Sequence, residues 1–182
     1  AQGGVIQDWV LQNAGDAFAQ NYFNAYPNNI FLTVIFAGIK DIAVHFGFAD
    51  GYFATIVVGV ISVDISIVFT VLTVWKLTDS RKLTVLSLII STVFLGFNPW
   101  IVIPYSDAYS ISFLSIMMYL YCSLKKDKKG YGTWTGIVIV AMIGMKIKPT
   151  VIIALFAIVL VEIFNCNKSR IKELLLKGVI LA

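Results

Sequence analysis

Residues 52–75 run for 24 positions with a single charged side chain, Asp64, and no other feature constrains the fold as strongly. A helix needs about 20 predominantly apolar residues to cross the hydrocarbon core of a bilayer. Further apolar runs follow at 83–103 and 107–124, then shorter ones at 133–147 and 149–164. Runs of this length read as membrane helices, because lipid offers backbone groups no partners outside the chain. Composition agrees: 59% of the 182 residues are hydrophobic and 13% are charged, against about 45–50% and about 25% in soluble domains. The expected fold is all-α, a polytopic helical membrane bundle forming one domain over 1–182. A water-soluble globule and a nucleic-acid-binding protein are both excluded.

The net charge of +4 says less than the positions of the bases. Three clusters hold eleven of the 14 Lys and Arg: Lys76, Arg81 and Lys82; Lys125, Lys126, Lys128 and Lys129; Lys168, Arg170, Lys172 and Lys177. The excess of bases in cytoplasmic loops puts all three inside. The chain must then leave and return between them. Asn98 to Asp107, with Pro99 and Pro104, becomes an extracytoplasmic turn. The segment 133–164 becomes a hairpin of two short helices turning at Lys146-Ile-Lys-Pro149.

Residues 1–51 are then an outer loop. Within it the apolar block 30–48 carries Lys40 and Asp41 near its middle, and charges inside a membrane are costly. The block is expected to lie in the outer interface or dip part-way in; the competing reading is a true span with its charges paired. The chain opens at Ala1 without a basic leader and stops shortly into a new apolar run, Gly178 to Ala182. A fragment with a lost upstream helix is expected. Cys122 and Cys166 flank basic loops, where a reducing cytosol keeps thiols free, and no disulfide or metal framework is implied.

On this map the outer face collects Asp8, Asp16, Asp41, Asp50 and Asp107 together with Lys40, Lys146 and Lys148. Two lysines at an outer helix end run against the positive-inside bias. Either both snorkel to headgroups, or the Lys148-Pro149 turn aims a point charge at a phosphate. Asp107 precedes an apolar run and suits the first turn of a helix. Asp64 lies mid-membrane, so it must be neutral, paired or facing a polar cavity; an interhelical hydrogen bond to Ser62, Ser66 or Ser91 is expected. His45 reads as interfacial structure, and Trp9, Trp100 and Trp134 as interface-belt residues.

Three motifs stand in order on this outer side: Tyr26-Pro-Asn-Asn29, Pro104-Tyr-Ser-Asp-Ala-Tyr109 and Lys146-Ile-Lys-Pro-Thr150. Together they resemble the GT-C superfamily of integral-membrane glycosyltransferases, in particular bacterial relatives of the dolichyl-phosphate-mannose-protein mannosyltransferases. The sequence departs from the family pattern at each motif. Tyr26-Pro-Asn-Asn29 stands for His-Pro-Pro, Asp107 for the acidic residue of Tyr-Ser-Glu, and Lys148-Pro-Thr-Val151 for Arg-Pro-Thr-Gly.

The resemblance implies a partial GT-C-like bundle in a bacterial plasma membrane. It implies sugar transfer from a polyprenyl-phosphate-linked donor to an acceptor on the extracytoplasmic face, with inversion at the anomeric carbon. Such chemistry needs a base for the acceptor's proton and positive charge for the departing phosphate. By resemblance Asp8 is the candidate base and Asp16 the second choice; the base could also lie upstream of Ala1, leaving Asp8 an exposed or capping carboxylate. Lys148 would meet the lipid phosphate, with Lys146 beside it. Tyr105 and Asp107 would bind sugar hydroxyls or a divalent ion, and Tyr26 and Asn28 an acceptor or carrier headgroup. The rival expectations are a transporter or flippase with Asp64 as its coupling residue, and a non-catalytic membrane scaffold.

Overall fold

The computed structural model describes residues 21, 23–27, 29–48, 51–127 and 130–165. Asp8, Asp16, Asn28 and the third basic cluster lie outside them. Every element among the described residues is helical.

Helix α1, Asn29–His45, coincides with the apolar block predicted to be interfacial. It ends where Gly47 takes φ +82° and Phe48 N–H reaches back to the Ala43 carbonyl at 3.0 Å, a left-handed cap that glycine tolerates without a Cβ clash. Leu32 and Phe36 of α1 are buried against the helices that follow. Lys40 lies across the start of the next helix, where a Cβ on Gly51 would come within 2.9 Å of its side chain.

Helix α2, Gly51–Thr78, is 28 residues long. Among the described residues it is the one helix both long and apolar enough to cross a membrane. Asp79 in the left-handed region, at φ 49°, reverses the chain, and Ser80 caps α3, Arg81–Ser91, by accepting from Leu83 N–H. The sequence predicts one span over 83–103, but α3 gives way to a π-helical turn at Thr92–Gly96 and then a short 3-10 helix at Pro99–Val102. Pro99 causes the break. It has no N–H to donate and forces the preceding residue out of the helical region. Asn98 accordingly sits at φ −73°, ψ 119°, with its side chain accepting from Trp100 N–H at 3.0 Å.

Helix α4, Ser106–Lys126, returns parallel to α2 and is its main partner. Small polar residues form the seam: Ser62 donates to Ser112 at 2.9 Å, Ser66 and Ser115 share a hydrogen bond of 2.6 Å, and Tyr109 donates to the Thr55 carbonyl at 2.6 Å. Short side chains let helices approach closely and bond across lipid-excluded interfaces. A Cβ on Gly59 would meet the Tyr109 ring at an ordinary 3.5 Å.

Helices α5, Tyr131–Ile147, and α6, Ile152–Asn165, are joined by a 3-10 turn at Pro149–Val151. This is the predicted hairpin, turning where the sequence places it. Met117, Ile137 and Ala141 are fully buried between α4 and α5, with Val151 and Ile158 beside them. Trp134, read from sequence as an interface residue, packs against this cluster. At the basic end Lys76 pairs with Asp127 at 2.6 Å and Lys126 with Asp79, while Glu162 of α6 meets Tyr121 at 2.7 Å and Lys125 at 2.5 Å.

Asp64 corrects a sequence expectation. It makes no hydrogen bond to Ser62, Ser66 or Ser91. Ser62 and Ser66, four residues apart, share the face of α2 that α4 covers, whereas Asp64 between them points to the other side of a helix with 3.6 residues per turn. There it is exposed.

Candidate functional site

The site forms where the start of α4 meets the end of α5. Tyr105 is the N-cap of α4, and Asp107 lies in its first turn, where a carboxylate favours the positive end of the helix dipole. Lys148 ends α5 in an extended conformation, φ −146° and ψ 114°, as a residue before proline must. Its backbone is held at both groups: the N–H donates to the Gly144 carbonyl at 2.8 Å, and the carbonyl accepts from Val151 N–H at 3.0 Å. So fixed, the Lys148 ammonium donates to Asp107 Oδ1 and forms an ion pair with it. The Lys148 side chain is 27% exposed and that of Asp107 is 76% exposed, so solvent reaches the pair from the carboxylate side.

Close approach makes this possible. A Cβ on Gly144 would come within 2.8 Å of Val151 and 3.0 Å of Phe113. Glycine lets α5 and its turn press on α4, and Lys148 then reaches a residue 41 positions earlier.

Beside the pair opens a cleft of about 330 Å³. Its polar lining comes from Asn98, Trp100, Tyr105 and Asp107, and its apolar wall includes Val63 of α2 and Ile111 of α4. The arrangement offers hydroxyl, amide and carboxylate groups, an aromatic face and an adjacent cation. Sequence reasoning missed Trp100, assigned there to a membrane-interface belt, and gave Asn98 no role. Pro99 and Pro104 marked the turn that carries both. Tyr109, inside the second motif, is an interhelical strut packed on Phe36 with ring centroids 4.9 Å apart.

The remaining predicted residues fall elsewhere. Tyr26 is exposed in the turn before α1, its carbonyl accepting from Asn29 N–H at 3.0 Å, and it does not line the cleft. Lys146 is exposed on the last turn of α5 and makes no hydrogen bond or ion pair among the described residues. His45 stacks edge-on to Phe46 at the end of α1. Among the described residues no three His, Cys, Asp or Glu side chains gather into a metal-binding group, and Asp107 is the carboxylate that the cleft presents.

A family model described as a conserved hypothetical integral membrane protein matches residues 3–182. The chain belongs to that family. It is therefore an integral membrane protein, which agrees with its apolar runs and with the length of α2. No curated protein and no solved structure matches the chain. Membership in the family carries a membrane setting, and no reaction comes with it.

Proposed function

We propose that this integral membrane protein is a glycosyltransferase that moves a sugar from a polyprenyl-phosphate-linked donor to an acceptor on the extracytoplasmic face of a bacterial plasma membrane. The reading treats the bundle as polytopic, with the Asp107 end outside and the Lys76 end in the cytoplasm. One observation carries it: Asp107, which lines the cleft with Tyr105, pairs with Lys148, and the two come from motifs that resemble those of GT-C enzymes.

In the proposed reaction the acceptor hydroxyl gives its proton to a carboxylate, and its oxygen attacks the anomeric carbon. The bond from that carbon to the phosphate oxygen breaks, with the electron pair leaving on the polyprenyl phosphate. Lys148 would leave Asp107 to meet that phosphate, a charge-assisted contact of the strong kind. Tyr105 and Asp107 would hold sugar hydroxyls, or Asp107 a divalent ion. Asp8, with Asp16 as second choice, is the proposed base, and both lie outside the described residues. Tyr26, Asn28 and Lys146 are assigned to headgroups at the same surface. The transporter reading would need Asp64 to border a path between helices. Asp64 instead lies on the side of α2 away from α4, so the outer cleft is the better supported site.

The test is transfer by the full chain in liposomes supplied with a labelled polyprenyl-phosphate hexose. Wild type should release polyprenyl phosphate and label an acceptor. Asp8→Asn should fold and lose transfer, and Lys148→Ala should use the donor poorly. Wild-type turnover in both variants would overturn the assignment.

A further inference from the structure

The cleft contains recognition groups to which the proposed transfer gives no role. Asn98 commits most of its polar groups to the turn: its N–H donates to the Leu95 carbonyl at 3.3 Å, its carbonyl accepts from Ile101 N–H at 3.1 Å, and its side-chain oxygen accepts from Trp100 N–H at 3.0 Å. The side-chain nitrogen keeps both of its donors, with no partner among the described residues. Trp100 is held at both backbone groups, because its carbonyl also accepts from Ile103 N–H at 3.2 Å. It is nonetheless 65% exposed, and it lines the cleft.

An indole on a fixed backbone is a platform. Its face carries the negative end of a quadrupole, and the C–H bonds on the apolar side of a pyranose ring carry the opposite polarity. Around it stand the Asn98 amide donors, the Tyr105 hydroxyl and the Asp107 oxygen that Lys148 leaves free. Donors and acceptors beside an aromatic face match the hydroxyls and the C–H patch of a sugar. The volume of about 330 Å³ lies at the low end of the roughly 300–1,000 Å³ of small-molecule sites, which is room for one sugar unit and not for an oligosaccharide. Among the described residues that line the cleft, Asp107 is the one charged side chain.

Resting on the proposed transfer, we infer that the donor carries a single uncharged hexose, and that Trp100 and Asn98 determine this specificity: the ring stacks on the Trp100 indole while the Asn98 amide donates to a ring hydroxyl. Asn98 then acts twice, through its oxygen on the backbone of Trp100 and through its nitrogen on the sugar. An acidic sugar is rejected. Its carboxylate would face Asp107, and Lys148 is engaged by Asp107 or, during transfer, by the donor phosphate, so no lining cation is left to offset the like charges.

The experiment reads donor binding separately from transfer. In the full chain with Trp9, Trp75 and Trp134 replaced by phenylalanine, Trp100 is the remaining tryptophan, and its emission is followed in detergent. The probes are polyprenyl-phosphate glucose, mannose and galactose, the glucuronate analogue, and polyprenyl phosphate alone. At least one hexose donor should shift the emission, the bare carrier should not, and the glucuronate should bind at least tenfold more weakly. With labelled donor, Trp100→Ala should lose about tenfold in affinity and Trp100→Phe less. Asn98→Asp keeps the acceptor for Trp100 N–H and loses the amide donors, so it should weaken donor binding while thermal unfolding stays at the wild-type temperature. An equal shift with bare carrier, which is the behaviour of a membrane-interface tryptophan, equal binding of the glucuronate, or wild-type affinity in Trp100→Ala and Asn98→Asp would each overturn the inference. Transfer that persists at the wild-type donor KM in those two variants would sink this inference alone, whereas hexose-dependent binding without transfer to any acceptor would sink the transfer and leave the sugar site standing.

Discussion

Lys148 donates to Asp107 across the junction of α5 and α4, joining two residues 41 positions apart, the second of which lines the cleft. Each residue is held by its own helix end. Asp107 sits in a first turn and Lys148 in the extended residue before Pro149, so the pair forms from positions the backbone has already fixed.

Lys148→Ala should raise the donor KM roughly tenfold or more, the scale of a lost charge-assisted hydrogen bond, with kcat less affected. Lys148→Arg should restore part of the affinity. Steady-state kinetics on a polyprenyl-phosphate hexose, compared with a donor analogue lacking the phosphate charge, checks this. Equal losses on both donors would detach Lys148 from the phosphate.

Gly144→Ala should destabilise the bundle by about 1–3 kcal/mol, the usual cost of overpacking, because its Cβ would collide with Val151 and Phe113. Gly136, whose Cβ would meet only Leu120 at an ordinary 3.6 Å, should accept alanine with little change. Thermal unfolding of the two variants in the same detergent gives the comparison.

Ser66 and Ser115 should couple by about 0.6 kcal/mol in a double-mutant cycle, the average for hydrogen bonds between membrane helices. Their 2.6 Å contact joins α2 to α4. Unfolding free energies of Ser66→Ala, Ser115→Ala and the double variant measure the coupling, and strict additivity would mean that packing alone holds the seam.

Glu162→Leu should destabilise by about 1–3 kcal/mol, since it strands the Tyr121 hydroxyl and frees Lys125. Glu162→Gln retains an acceptor for Tyr121 and should lose less. Reversible unfolding followed by tryptophan fluorescence distinguishes them.

The order of the helices was legible because hydropathy is a property of consecutive residues. The 133–164 hairpin and its turn at Lys148-Pro149 appear where those signals put them. The break in 83–103 was half legible: Pro99 and Pro104 announced a turn, but the π-helical stretch at Thr92–Gly96 left no mark in the pattern. Trp100 was read as an interface residue because a tryptophan near a membrane end has the same sequence signature in either role; only the fold of the 98–105 turn sets it in the cleft. Asp64 was assigned serine partners from adjacency, although the helical period already put Ser62 and Ser66 on a different face.

By itself the sequence determined an all-helical integral membrane chain and the places where it turns. Those follow from the cost of exposing backbone groups and charges to lipid, which adds up residue by residue along the chain. Only the tertiary structure decided that Asp107 and Lys148 touch, that Asn98 and Trp100 share their cleft, and that Asp64 faces away from α4. Each of these depends on how closely two helices can approach. That is set by small residues such as Ser62, Ser66 and Gly144 acting on neighbours remote in sequence.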